Sequence, residues 1–459
     1  MKYKAVYLIG IGGIGMSALA RYYKHSGCFV AGYDKTKTQL TQQLENEGIF
    51  VHYTDDISLI PENCTDAKNT LIIYTPAVPN EHSELNYFLS HGFNVVKRSK
   101  VLGVIASDKH TFAISGTHGK TTTSTLLAHI LTVAANGCNA FLGGISKNYD
   151  TNLLLSSSDN LVAEADEFDR SFLQLFPNAA VITAVDADHL DIYGNVDEVR
   201  NAYETFASQV KSGGKLIVKK GIDIKLPEND VKIYRYSYNE PCDFYASNIK
   251  LCNDACYSFD INLPDQKICD CKLGIPGWIN VENAVAATAL AWTNGFDEQK
   301  LKTALANFAG VKRRFDVQIN TPKLIYIDDY AHHPEELKAT LTSIKNIFAD
   351  RKVTAIFQPH LYTRTRDFAG DFAKSLSIAD ELVLLDIYPA RELPIEGVTS
   401  KIIFDNVTCN EKTLCKKQEL LDVLSNKKFD VLVTLGAGDI DLFVEPITQM
   451  LNKKIISNE

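Results

Sequence analysis

Two stretches of this chain share one form: a short apolar run, a glycine-rich turn, then a helix-forming segment. The first is Tyr3–Ile9, followed by Gly10-Ile11-Gly12-Gly13-Ile14-Gly15 and the helical stretch Met16–His25. The second is Thr111–Ile114, followed by Ser115-Gly116-Thr117-His118-Gly119-Lys120-Thr121-Thr122 and the apolar stretch Thr123–Ala135. A strand that is apolar throughout is buried on both faces, the pattern of a parallel sheet covered by helices. Each passage therefore predicts the start of an α/β unit. A third series of strands (Leu324–Ile327, Val353–Phe357, Glu381–Leu385 and Val431–Leu435) predicts another. At roughly 100–200 residues per domain, 459 residues accommodate three. The expected division is 1–107, a Rossmann-like domain; 108–310, a central phosphate-loop domain; and 311–459, a second Rossmann-like domain. Residues 231–272 are rich in tyrosine and alternate in polarity, which predicts a small antiparallel β-rich part in the central domain.

Gly10–Gly15 satisfies GxGxxG between a strand and a helix. The glycines allow a tight turn and a close backbone approach to a pyrophosphate, and the helix start offers N–H groups to the anion. Asp34, at the end of the next strand, Cys28–Tyr33, is placed to reach a ribose hydroxyl. Alone, this motif is compatible with a dinucleotide cofactor and a dehydrogenase, with another pyrophosphate such as a nucleotide sugar, or with a bare glycine turn.

The second turn departs from a strict Walker A loop, because Ile114 stands where that pattern has its first glycine. Its functional core remains. Gly119-Lys120-Thr121 supplies a lysine for β/γ-phosphates and a hydroxyl for Mg²⁺. Mg²⁺ takes oxygen ligands, few of them from protein. Glu164 ends the strand Leu161–Ala163, with Asp166, Glu167 and Asp169 just beyond, and Asp186-Ala187-Asp188-His189-Leu190-Asp191 follows another strand. Open α/β sheets bind ligands at the carboxyl ends of their strands, so Lys120, Glu164 and His189 are expected to converge.

Composition narrows the setting. The formal charge of −9 argues against a nucleic-acid surface. No apolar run approaches the roughly 18–20 residues that span a bilayer, and Met1-Lys2-Tyr3-Lys4 does not open a signal peptide, so a cytoplasmic location without membrane partners is expected. The ten cysteines form no pair of CxxC motifs, which favours reduced thiols, with zinc as the minor alternative.

Taken in order, the motifs resemble those of the Mur ligases over nearly the whole chain. They are residues 10–20, the loop at 115–122, Ala163-Glu164-Ala165-Asp166-Glu167-Phe168-Asp169, the 186–191 stretch, Arg313-Arg314-Phe315, Asp328-Asp329-Tyr330-Ala331-His332-His333-Pro334, and Gln358-Pro359-His360 continuing to Arg364. The resemblance implies a UDP-sugar-binding first domain, a central ATPase domain and a C-terminal domain. It implies ATP and Mg²⁺ as cofactors, with UDP-N-acetylmuramate and L-alanine as partners. The reaction would join the amino acid to the lactyl carboxylate through an acyl phosphate, in a monomer or homodimer.

The resemblance also implies residue roles. Lys120, Glu164 and His189 would be catalytic, and Thr121, Glu164 and His189 would hold the metal. Gly116, Thr117, His118, Gly119, Lys120, Thr121, Thr122, Asn283, Arg314 and Asp329 would bind ATP. Gly10, Gly12, Gly13, Ile14, Gly15, Asp34, His118, His360 and Arg364 would contact substrate. His332, His333 and His360 are candidates to accept the amine proton. Trp278-Ile279 stand where relatives usually have Arg-His, and Leu361 where they often have arginine. Three other readings remain: a dehydrogenase, a ligase recycling cell-wall peptides, and a regulator that binds nucleotide without turnover.

Overall fold

The computed structural model describes residues 2–186, 190–390 and 392–457. Its strands assemble into three sheets. The first contains β1 (Ala5–Ile9), β2 (Phe29–Tyr33), β3 (Phe50–His52), β4 (Thr70–Tyr74) and β5 (Asn94–Lys97), in the order β3-β2-β1-β4-β5 and parallel at every pairing. Successive strands leave β1 first to one side and then to the other. That reversal opens a crevice beyond the ends of β1 and β4, where sheets of this kind bind ligands. All five residues of β1 are buried. Its one polar group, the Tyr7 hydroxyl, donates to the buried Glu84 carboxylate at 2.6 Å and lies 2.6 Å from His52 Nε2.

The second sheet has ten strands: β6 (His110–Ser115), β7 (Asn139–Ser146), β8 (Thr151–Leu154), β9 (Asn160–Ala165), β10 (Ala179–Ile182), β11 (Lys215–Lys219), β12 (Lys232–Ser237), β13 (Phe244–Leu251), β14 (Tyr257–Asn262) and β15 (Lys267–Lys272). Their order is β15-β14-β13-β12-β11-β10-β6-β9-β7-β8. β6 runs parallel to β9 on one side and β10 on the other. The β-rich part expected from the alternation is present as β12–β15, and it continues the central sheet instead of standing apart from it. β12 pairs parallel with β11, and β13 parallel with β12, so these strands extend the central sheet. Tyr234 is a packing group there: it and Phe244 both meet the Trp292 ring edge-on, each at 5.4 Å.

The third sheet contains β16 (Asp316–Asn320), β17 (Ile325–Asp329), β18 (Val353–Phe357), β19 (Glu381–Leu385), β20 (Glu411–Cys415) and β21 (Val431–Leu435), in the order β16-β17-β21-β18-β19-β20. Only β16 is antiparallel. The four apolar runs read from sequence are its buried central strands, because a strand covered on both faces carries its signal in every residue. β16 and β20 lie at the edges with mixed composition and gave no such signal.

The chain forms two compact units. One comprises Met1–Ile249, Phe259–Lys272 and Glu282–Ala309; the other comprises Lys250–Ser258, Leu273–Val281 and Gly310–Glu459. Among the described residues no helix is long and apolar enough to cross a membrane.

Candidate active site

In the first unit, the glycine turn leaves β1 with Gly10 at φ 85°. Gly13 caps the helix Ile14–His25 without a side-chain hydrogen bond, so the first N–H groups of the helix have no side-chain acceptor. Asp34 fastens this turn: its carboxylate accepts from Gly12 N–H at 2.7 Å and from Thr36 N–H at 3.0 Å. Arg98, the first residue of the helix Arg98–Ser107 after β5, lies against Gly15. A Cβ on Gly15 would come within 2.6 Å of its guanidinium. Sequence reading missed Arg98. The available signal was a lysine–arginine pair directly after Asn94-Val95-Val96, a strand too short to stand out.

The second loop leaves β6 between its two parallel neighbours, and the register explains what it meets. Ile114 pairs with Glu164 of β9, and Ser115 with Ile182 of β10. Thr121 Oγ1 donates to Glu164 at 3.2 Å. Thr117 Oγ1 donates to Asp186 at 3.1 Å, and the His118 ring lies 3.3 Å from the same carboxylate. Gly116, at φ 137°, presses on Thr183, and Gly119, at φ 80°, caps the helix Lys120–Ala134. Neither glycine has space for a side chain. Asn283, 160 positions beyond Thr123, accepts from its hydroxyl at 3.3 Å and lies against Gly119, so this distant residue does reach the loop. Thr122 is buried on the same first turn. His189 lies outside the described residues.

Lys120 Nζ donates to the Gly116 carbonyl at 2.6 Å and to the Glu167 carboxylate at 2.9 Å. Burial alone disfavours an ammonium here, but Glu167, Asp166 and Glu164 outweigh it and hold Lys120 protonated. Burial pushes the Glu167 carboxyl up to about 7 even against the pull of Lys120.

A cavity of about 230 Å³ joins the first glycine turn to the carboxyl end of β9. Gly13, Gly15 and Arg98 line one part of it, and Glu164, Asp166 and Phe168 another. Arg98 lies 3.6 Å from Asp166 within it. The wall facing Glu164 is Gly143 of β7, where a Cβ would come within 2.1 Å of the carboxylate. The first glycine turn and Glu164, whose carboxylate accepts from Thr121 of the second loop, thus border one cavity.

The remaining predicted residues lie in the second unit, again at strand ends. Arg314 lies over the Tyr330 ring at 4.8 Å and 3.9 Å from Glu336. Glu336 is also 3.2 Å from His332, whose ring meets His360 at 6.0 Å. His360 stacks on Tyr388. Asp329 accepts from Phe315 N–H, Ala331 N–H and the Thr340 hydroxyl, so its carboxylate braces the turn that presents Arg314. His333 caps the helix Pro334–Ile347. Leu361 is buried at φ 70° and leads into the short helix that carries buried Arg364.

A phosphate loop, a carboxylate beside its threonine, a second glycine turn after a buried parallel strand and three α/β domains fit a class of ATP-consuming ligase. Profiles of three Mur ligase domains match the chain: the Mur ligase family catalytic domain over residues 5–110, the middle domain over 114–291 and the glutamate ligase domain over 313–438. The chain belongs to the Mur ligase family. It is 55% identical over 457 residues to the UDP-N-acetylmuramate–L-alanine ligase of Parabacteroides distasonis, covering 99% of this chain and 98% of that one. It is 52% identical to the ligase of the same name from Phocaeicola vulgatus, covering 98% and 99%. Among solved structures, a UDP-N-acetylmuramate–alanine ligase from Thermotoga maritima matches with TM-score 0.82 at 28% identity, covering 99% and 100%. A murein peptide ligase from Psychrobacter arcticus shares the fold with TM-score 0.69 at 22% identity, covering 98% of each chain.

Proposed function

We infer that this chain is an ATP-dependent ligase that joins L-alanine to the lactyl carboxylate of UDP-N-acetylmuramate in peptidoglycan precursor synthesis. The single observation that carries this reading is the cavity shared by the Gly10–Gly15 turn and Glu164. It gives a sugar nucleotide held by its pyrophosphate a path toward Glu164, the carboxylate that accepts from Thr121 of the phosphate loop. A dehydrogenase has no use for the second loop, and a non-catalytic nucleotide binder has no use for the connection.

In this reading Gly12, Gly13, Ile14 and Gly15 receive the pyrophosphate, Asp34 keeps their turn in shape, and Arg98 adds a cation. Gly116–Thr122 hold the triphosphate. The Thr121 hydroxyl and Glu164 carboxylate, 3.2 Å apart, offer two hard oxygen donors and suit Mg²⁺, which leaves its other positions to water and phosphate. Held by Thr121 and Glu164, Mg²⁺ would neutralise phosphate charge. The lactyl carboxylate attacks the γ-phosphorus, forming an acyl phosphate and releasing ADP. The amine of alanine then attacks the acyl carbon. The tetrahedral intermediate collapses with loss of phosphate, and the amine proton passes to a base. Lys120 stabilises the charge on the transferring group. For the C-terminal domain, 311–459, the family resemblance assigns Arg314 and Asp329 to ATP, and His360 and Arg364 to substrate.

Phosphate release measured with ATP, Mg²⁺, UDP-N-acetylmuramate and L-alanine tests the assignment. It should require both acceptor substrates. Release that ignores the amino acid overturns the ligase reading, and equal rates with glycine or serine overturn the choice of alanine.

A further inference from the structure

The residue that faces the phosphate-loop lysine is absent from the set assigned above. Glu167 is 2% exposed, and each of its carboxylate oxygens lies 2.9 Å from Lys120 Nζ. Three features hold it there. Its backbone carbonyl accepts from the Tyr193 hydroxyl at 2.7 Å. Phe172, five residues on, is buried against Tyr203 and stacked on Phe206 at 5.1 Å. Between the two, Asp169 and Arg170 adopt left-handed backbone conformations at φ 52° and 54°, which non-glycine residues accept only when their surroundings impose them.

Lys120 otherwise bonds to neutral backbone carbonyls of its own loop. Glu167 is therefore the anion that occupies the lysine where a phosphate would. We propose that Glu167 is a positioning residue that holds the Lys120 ammonium in the nucleotide-free protein and yields it to the triphosphate, so that it sets ATP affinity against readiness of the lysine. The proposal rests on the loop at 116–122 being the ATP site. Its carboxylate keeps a buried cation neutralised and aimed, and it opposes an incoming phosphate of like charge.

The test compares wild type with Glu167→Gln and Glu167→Asp, using ATP and Mg²⁺ without the other substrates. Gln keeps the shape and removes the charge, so Kd for ATP should fall roughly tenfold, the scale of one charged hydrogen bond. The rise in Tm caused by ATP should also be larger than in wild type, because phosphate then supplies the missing counter-charge. Asp keeps the charge and should return Kd toward the wild-type value. In full turnover Glu167→Gln should lower KM for ATP and lower kcat together. Tyr193→Phe, which loses only the bond to the Glu167 carbonyl, should shift Kd in the same direction by a smaller factor. If ATP raises the Tm of wild type and Glu167→Gln equally and Kd is unchanged, Glu167 is a packing residue and the proposal fails. If ATP stabilises neither protein, the ATP site itself is misassigned.

Discussion

The turn Gly10–Gly15 and the loop Gly116–Lys120 are built alike and charged differently. Both leave the carboxyl end of a buried parallel strand, and both open a helix whose capping glycine makes no side-chain bond. Around the first, an aspartate is bound to the turn's own backbone and one arginine borders the cavity. Around the second, a lysine sits among three carboxylates, two of which touch Lys120 or Thr121 directly. The backbone plan is general to phosphate binding. The surrounding charges separate a loop that anchors a ligand from one that must also carry a reaction, where charge is moved and has to be stabilised in the transition state.

Changes at the second loop should strike turnover, and changes at the first should strike substrate affinity. Lys120→Ala is expected to lower kcat about a thousandfold or more, the scale of losing a principal charge stabiliser. A near-normal rate would erase the distinction between the loops. Gly143→Ala pushes a methyl group into the Glu164 carboxylate, 2.1 Å away. It should lower kcat roughly a hundredfold and raise the Mg²⁺ concentration needed for half-maximal rate, since misplacement by about 1 Å is costly in a reacting geometry. Arg98→Ala should raise KM for UDP-N-acetylmuramate about 10- to 100-fold while KM for ATP stays nearly constant, as expected for one charged hydrogen bond. Equal increases in both constants would mean that the cavity works as one site with no division of labour.

The smallest effect on activity is expected at Glu84, a buried carboxyl that serves neither loop. Burial pushes it up to about 7 from 4.5, despite the bond from Tyr7. Between those pH values the folded protein holds a proton that the unfolded chain has released. Stability from this group is therefore present at low pH, falls as pH rises through about 5 to 7, and is level above. Glu84→Gln should flatten that fall, gaining at most about 3 kcal/mol relative to wild type between pH 5 and pH 7.5. Urea midpoints at the two pH values, with kinetic constants unchanged, check this. A midpoint difference that does not vary with pH would show that the Tyr7–His52–Glu84 network does not titrate with folding.

The sequence alone carried the three α/β domains and most of the loop chemistry. Buried parallel strands are apolar at every position, and glycine turns admit almost no other residue, so both write themselves into local sequence. Lys120, Thr121 and Glu164 were legible for that reason. Tertiary structure decided the rest. It joined strands β12 to β15 to the central sheet, because strand pairing is a long-range choice that alternation does not encode. It brought Asn283 to Gly119 and Arg98 to Gly15, each through the placement of a helix. It turned Glu167 from one of several acidic residues after a strand into the partner of Lys120, since the sign of a charge is local while its counter-ion is chosen by the fold. Above all it brought the Gly13–Gly15 turn and the Glu164 carboxylate, about 150 residues apart, to one cavity, a relation that no residue within either motif encodes.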